Sequence, residues 1–288
     1  MSDEHRDRAE GWKHAKLTGH KNEEIVCDLI NQDEDIQKRI LICAHKYDGI
    51  FVKASCGGLN ETNVPSILGG TTKSKTDIYV LLDNRETINI SLKKERGGQV
   101  YLIGPERFIE GFEKQYSKKI PDEVKKGIGL FWGFDDDVID IIARYSTKYK
   151  DYETRKHRLV AETLKEYDVE LSDTLVKWFA DNIADLFTFC FSRGLAQNES
   201  DWADLVWYRN EISEDGEDVD TLLNINDMSN KLKNESEYGN KTGGSTIQLP
   251  FGMVQWHSPT KKIPGDMQFH HSYEKIMELL NEWEKHNK

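Results

Sequence analysis

Hydrophobic and polar positions alternate most regularly between Lys73 and Arg96, in the run KSKTDIYVLLDNRETINISLKKER. Ile78, Val80 and Leu82 alternate with Asp77, Tyr79 and Leu81. After the polar turn Asp83-Asn84-Arg85-Glu86, Ile88, Ile90 and Leu92 alternate with Asn89, Ser91 and Lys93. A period of two predicts half-buried strands, because successive side chains of a strand take opposite faces. Folded as an antiparallel hairpin, the run brings Asp77, near the start of one strand, beside Ser91 and Lys93, near the end of the next. A carboxylate and an ammonium together on a sheet edge can bind a divalent metal and steady a phosphate.

Elsewhere the pattern is a mixture of helical and strand periods. Gly11 to Asp33 predicts a helix, with Ile25, Val26, Leu29 and Ile30 on one face and Asn22 capping its start. Asp35 to Tyr47 fits a helix or a strand, and Gly49 to Ser55 is a β-branched and aromatic strand. Cys56 to Thr72 is a loop with paired glycines and Pro65, and Gly97-Gly98 break the strand that precedes them. Gly104-Pro105-Glu106 opens a helix whose Phe108, Phe112 and Tyr116 pack as a core stripe. Leu130 to Phe134 reads as a short strand, Asp135-Asp136-Asp137 as an acid-rich helix start, and Leu171 to Phe191 as one buried helix. An acidic segment from Glu199 to Asp220 carries Trp202, Trp207 and Tyr208. Strand-like runs return at Thr246 to Leu249, Met253 to Trp256 and Met267 to His270, before a final helix from Tyr273 to Trp283. The order predicts an α/β fold, with no internal repeat.

Composition narrows the function. The 288 residues are 37% hydrophobic and 31% charged, enough apolar residue for a sizeable core under a wet surface. A net charge of −12 argues against a nonspecific nucleic-acid coat but leaves room for a local basic cleft. Cys27, Cys43, Cys56 and Cys190 lie far apart and form no CxxC pair, so reduced thiols are expected rather than disulfides or zinc. The charged start MSDEHRDRAEGWKH has no signal-peptide core, and no apolar run reaches membrane-spanning length, which makes the cytoplasm the default location.

Asp77, a short hairpin and then Ser91-Leu92-Lys93 resembles the core of the PD-(D/E)xK nucleases, and the run SKTD…SLKK resembles type II restriction endonucleases in particular. The family pattern has an acid where this chain has Ser91; the MspI-like group is similar in using a neutral polar residue there. Thr76 stands in the place of the family's proline. The resemblance covers roughly residues 15 to 100. It implies a restriction-endonuclease-like core, a mixed central sheet flanked by helices, followed by a mixed α/β C-terminal extension. The core is expected over residues 1–133, with DNA-recognition additions over 134–288, either as separate parts or as one continuous domain.

The activity implied is Mg2+-dependent, sequence-specific hydrolysis of phosphodiester bonds in double-stranded DNA. Asp77 is the expected metal ligand, Lys93 orients the attacking water or steadies the phosphate, and Ser91 hydrogen-bonds a water. Gly19-His20-Lys21-Asn22-Glu23 resembles the family's opening helix, in which a glutamate reaches the metal. Glu23 is favoured over Glu24 because it borders the stripe of Val26 and Ile30, although first-turn acids are commonly explained by the helix dipole alone. For contacts to DNA the residues themselves suggest Lys73 and Lys75 beside Asp77, then Lys148, Lys150, Arg155 and Lys156 in the basic stretch from Arg144 to Arg158. Gln248, Gln255 and Gln268 have amides suited to base edges. A homodimer cutting both strands together and a monomer acting twice both stay open. So do two other functions: a repair or junction-resolving nuclease, and a noncatalytic acidic DNA mimic with its tryptophans at an interface.

Overall fold

The computed structural model describes residues 8–57, 63–145, 157–212, 219–232, 242–258 and 264–286. The chain starts with a long helix, α1 (Arg8–Gln32), followed by α2 (Glu34–Cys43). Asp33 separates them: its carboxylate accepts from the N–H groups of Asp35 and Ile36 at 2.9 and 3.1 Å, and Glu34 and Asp35 fill the first turn of α2. That cap is why the ambiguous segment after Asp33 is a helix. Because α1 begins at Arg8, Asn22 lies inside it rather than capping it, and it is buried.

Strands β1 (Phe51–Cys56), β2 (Asn63–Pro65), β3 (Thr71–Lys73), β4 (Ile78–Leu82), β5 (Thr87–Lys93) and β6 (Gly97–Ile103) come next. Helices α3 (Pro105–Tyr116), α4 (Asp122–Trp132), α5 (Val138–Tyr145), α6 (Ala161–Tyr167), α7 (Val169–Asp181) and α8 (Ile183–Thr188) occupy the middle of the chain. Then follow β7 (Leu205–Arg209), β8 (Asp220–Asn224), α9 (Ile225–Leu232), β9 (Thr242–Gly243), β10 (Thr246–Leu249), β11 (Gly252–His257), β12 (Asp266–Ser272) and α10 (Tyr273–His286). The fold is α/β, in two compact units that interleave in sequence: residues 1–65, 71–95 and 196–227 form one, and 66–70, 96–195 and 228–288 the other. Strand 205–209 shares a sheet with the hairpin.

In the first unit a mixed sheet has the order β1-β4-β5-β7-β8. The hairpin pairs Ile78 with Ile90 and Val80 with Ile88, while β5 and β7 run parallel, Ser91 opposite Val206 and Lys93 opposite Tyr208. Val26 and Ile30 of α1 and Ile40 of α2 bury themselves with Ile78, Val80, Ile88, Ile90 and Trp207. Strand β4 alternates as its sequence predicts, but β5 is buried on both faces from Ile88 to Leu92. The polar face is sealed because the Asn89 side chain donates to the carbonyls of Ser200 and Trp202 at 2.9 and 2.8 Å. Trp207, expected at an interface if the chain were a DNA mimic, is buried in β7 with its indole N–H donated to Asp220 at 2.7 Å. Edge strand β1 is held by Asn31 of α1, whose side chain accepts from the Ala54 N–H at 2.8 Å and donates to the Ala54 carbonyl at 3.1 Å. That amide occupies the hydrogen-bonding groups which an exposed edge would offer to another strand.

In the second unit an antiparallel sheet, β6-β12-β11-β10-β9, packs Phe269 against Phe108 of α3, whose other ring neighbours include Phe112, Trp178 and Phe189. Three expectations fail here. Gly97-Gly98 begin β6 instead of ending a strand, pairing with Ser272 and His271. Leu130 to Phe134, read as a strand, falls largely in α4, whose second half, Gly127 to Trp132, is buried at every position, so that the short run shows no helical period of its own. The single helix expected over 171–191 is broken after Asp181, where the Asn182 side chain donates back to the Trp178 carbonyl at 2.9 Å, and it ends in a π turn at Phe189–Arg193. No helix among the described residues is long and apolar enough to cross a membrane.

Candidate active site

The site forms where β4 stops and β5 continues. Main-chain groups of alternate residues on a strand point to the same side. The Ile90 carbonyl accepts from the Asp77 N–H at 2.9 Å, so the N–H and carbonyl of Leu92, two residues on, also face the β4 side. There β4 has run out, and the Asp77 side chain takes the place of a strand: its Oδ2 accepts from the Leu92 N–H at 2.7 Å. The Leu92 carbonyl is left beside that carboxylate, where Lys93 Nζ approaches it at 3.4 Å. Ser91 and Lys93 share the other side-chain face of β5, so Nζ donates to Ser91 Oγ at 2.7 Å and Oγ in turn lies 3.4 Å from Asp77 Oδ2. Asp77, Ser91 and Lys93 are thus one connected group.

Glu23 arrives by a different route. From Ala54, which Asn31 grips, β1 advances to Cys56, opposite Ile78, and the Gly57 N–H reaches the Asp77 carbonyl at 3.4 Å. One helical turn back along α1 rises about 6 Å, close to the rise of about 6.6 Å for two strand residues. Stepping back from Asn31 by turns gives Cys27 and then Glu23, which keeps pace with β1 towards Asp77. The thiols of Cys27 and Cys56 meet on the way, and burial together with Cys56 pushes the Cys27 thiol up to about 12.

The electrostatics fit a shared site. Burial, and then the charge of Asp77, raise the carboxyl of Glu23 above the usual range, against a hydrogen bond from His20 and the attraction of Lys93. Burial also raises Asp77, against Lys93, the Leu92 N–H, Lys75 and Ser91. Glu23 lies roughly four turns into α1, so the dipole of a first turn does not account for it. Glu24 is exposed on the helix surface.

Two carboxylates in mutual repulsion beside an outward carbonyl make an all-oxygen donor set suited to a hard divalent cation such as Mg2+. Among the described residues no three His, Cys, Asp or Glu side chains cluster as a metal site, so a cation here would draw on the Leu92 carbonyl and on its substrate.

The other sequence candidates are dispersed. Lys73 ends β3, and Lys75 is close enough to Asp77 to lower its pKa. Lys148, Lys150, Arg155 and Lys156 lie outside the described residues. Arg158, from the same basic stretch, is buried, with its guanidinium 4.4 Å from the Trp256 ring centroid and donating to Ser245 Oγ. Gln255 and Gln268 face one another across β11 and β12: Gln255 Nε2 donates to Gln268 Oε1 at 2.9 Å, and Gln268 Nε2 to Gln99 Oε1 at 2.7 Å. Gln248 Oε1 accepts from Lys275 Nζ at 2.9 Å. Base contacts by Gln255 and Gln268 would have to compete with these partners.

Sequence reasoning missed Asn31 and His20. Asn31 had a signal, a polar residue one turn from Cys27 on the buried face of α1; His20 had none beyond its spacing of three from Glu23.

No family model and no curated protein matches the chain. Among solved structures, a crystal structure of the restriction endonuclease MspI in complex with its cognate DNA is similar over 86% of this chain and 87% of that chain, at 17% identity and a TM-score of 0.44. At that level the likeness by itself assigns neither site nor activity.

Proposed function

We propose that the chain is a Mg2+-dependent endonuclease that hydrolyses double-stranded DNA at specific sequences, in the manner of a type II restriction enzyme. The observation that carries the reading is the strand-end arrangement: Asp77 bonded to the Leu92 N–H at 2.7 Å, with the Leu92 carbonyl, Lys93 and Glu23, whose carboxyl is raised by burial and by the charge of Asp77, about it. Asp77, Glu23 and the Leu92 carbonyl would hold the ion. When bound, Mg2+ neutralises charge on the phosphate and the departing oxygen and makes a coordinated water more acidic.

The remaining work falls to side chains already in place. Lys93, whose ammonium donates to Ser91 Oγ at 2.7 Å, exchanges that bond for the phosphate or the attacking water. Ser91 brings no charge, so the site has one acid fewer than the family pattern, and a phosphate oxygen of the substrate completes the donor set. Lys73 and Lys75 lead into Asp77 and would contact the DNA backbone. Gln248, Gln255 and Gln268 remain proposed readers of base edges.

The test is cleavage of a sequenced plasmid with Mg2+ by the parent, Asp77→Ala and Lys93→Ala proteins. Discrete fragments with common ends are expected for the parent, and a loss of at least about a hundredfold in each variant. Undiminished cutting by either variant removes that residue from its role. Nicking governed by DNA structure rather than sequence would point to a repair or junction-resolving enzyme instead.

A further inference from the structure

Two neighbouring carboxylates in a half-buried site repel one another, and a glutamate has three rotatable bonds by which to swing its charge out to water. Glu23 is held against that motion. His20, one turn earlier on the same face of α1, brings Nδ1 to 3.1 Å from Glu23 Oε2, with the two side chains only 13% and 18% exposed. No other hydrogen bond to the Glu23 side chain is made among the described residues, and the charge of Asp77 acts on the same carboxyl.

We infer that His20 is a positioning residue of this site: its ring N–H fixes one oxygen of Glu23 so that the other is presented, beside Asp77, to a divalent cation. The inference rests on the nuclease reading and adds to it a residue that touches neither DNA nor ion. Hydrogen bonds to liganding carboxylates of this kind commonly govern affinity for the ion by ten- to a hundredfold.

The experiment is a calorimetric titration of the DNA-free full chain with Mn2+, a probe that needs no turnover, on the parent and on His20→Ala, His20→Asn, His20→Gln and Asp77→Ala. Asparagine can place a donor near the position of Nδ1, whereas glutamine places it a bond further out. The parent should bind Mn2+, and Asp77→Ala should not. His20→Ala should bind about tenfold more weakly, with His20→Asn within about threefold of the parent and His20→Gln resembling alanine. In plasmid cleavage the same loss should appear as a higher half-saturating Mg2+ concentration with the rate at saturation little changed.

Parent-like binding by His20→Ala overturns the inference and leaves the nuclease reading standing. Absence of Asp77-dependent Mn2+ binding in the parent, both alone and with a non-cleavable phosphorothioate duplex present, overturns the reading itself. Should His20→Ala fail to fold, the asparagine and glutamine variants decide, and equal affinities in those two overturn the inference.

Discussion

Replacing Ser91 by aspartate restores the acid that the nuclease pattern carries, and its cost can be worked from the distances. Ser91 Oγ lies 3.4 Å from Asp77 Oδ2 and 2.7 Å from Lys93 Nζ. With an effective dielectric of about 20, a carboxylate oxygen placed there meets about 5 kcal/mol of repulsion from Asp77 and about 6 kcal/mol of attraction to Lys93. These nearly cancel. What remains is the removal of a new charge from water, at a position only 1% exposed, which costs several kcal/mol. Ser91→Asp should therefore melt well below the parent in EDTA, by about 5–10 °C. A cation among three carboxylates offsets that cost, so saturating Mg2+ should recover most of the loss while barely moving the parent. The assay is a thermal melt of both proteins with EDTA and with Mg2+. An equal deficit in the two conditions would show that no cation enters between Asp77 and Ser91, and would sink the proposed ion site.

Asp77→Asn should inactivate the protein yet stabilise it. Burial raises the Asp77 carboxyl over the opposing pull of Lys93, so the folded state holds the proton more tightly than the unfolded state and stability falls as pH rises from about 3.8 through the folded value. Removing the charge should raise melting at neutral pH in EDTA by about 2–4 °C, and a lower melting temperature would contradict that sign. Asn22→Ala should cost about 2–3 kcal/mol in urea denaturation, because its amide donates to the Arg209 carbonyl at 2.9 Å and accepts from the Glu211 N–H at 2.7 Å inside the fold. Glu113→Gln tests the opposite linkage. Burial raises its carboxyl, but hydrogen bonds from Lys125, Lys119 and the Ile120 N–H outweigh that and lower it to about 2, so its stabilisation is present above about 4.5 and fades towards 2. The variant should show a flatter dependence of melting temperature on pH across that window, with a parallel curve counting against the assignment.

The hairpin was legible because its information is local: a period of two and a polar turn place Ile78 opposite Ile90 without reference to the rest of the chain. The mixed α/β architecture followed from the alternation of elements. What escaped the sequence was set by partners far along it. Strand β7 is a four-residue apolar run ending in Arg209 inside an acidic segment, and only its parallel pairing with β5 reveals it as a strand. The run Leu130 to Phe134 misled because it belongs to the end of a helix where every position from Gly127 to Trp132 is buried, which erases the period locally. Glu23 sits near Asp77 through the Asn31 grip on Ala54, which local spacing does not encode. The glutamines looked available as single letters, yet register across β11 and β12 turns Gln255 and Gln268 towards each other.

The parallel pairing of β5 with β7 also dictates the order in which the molecule is made. A ribosome completes Asp77, Ser91 and Lys93 early, but Leu205 to Tyr208, which flank Ile90 to Lys93, emerge only after residues 94–204 have been synthesised. Until then one border of β5 lacks its neighbour, and the loop that seals Asn89 does not yet exist. A nascent chain thus carries the ingredients of its chemistry before its scaffold is complete, and a fragment cut after residue 133 would keep the motif while losing β7 and β8, two of the five strands of its sheet.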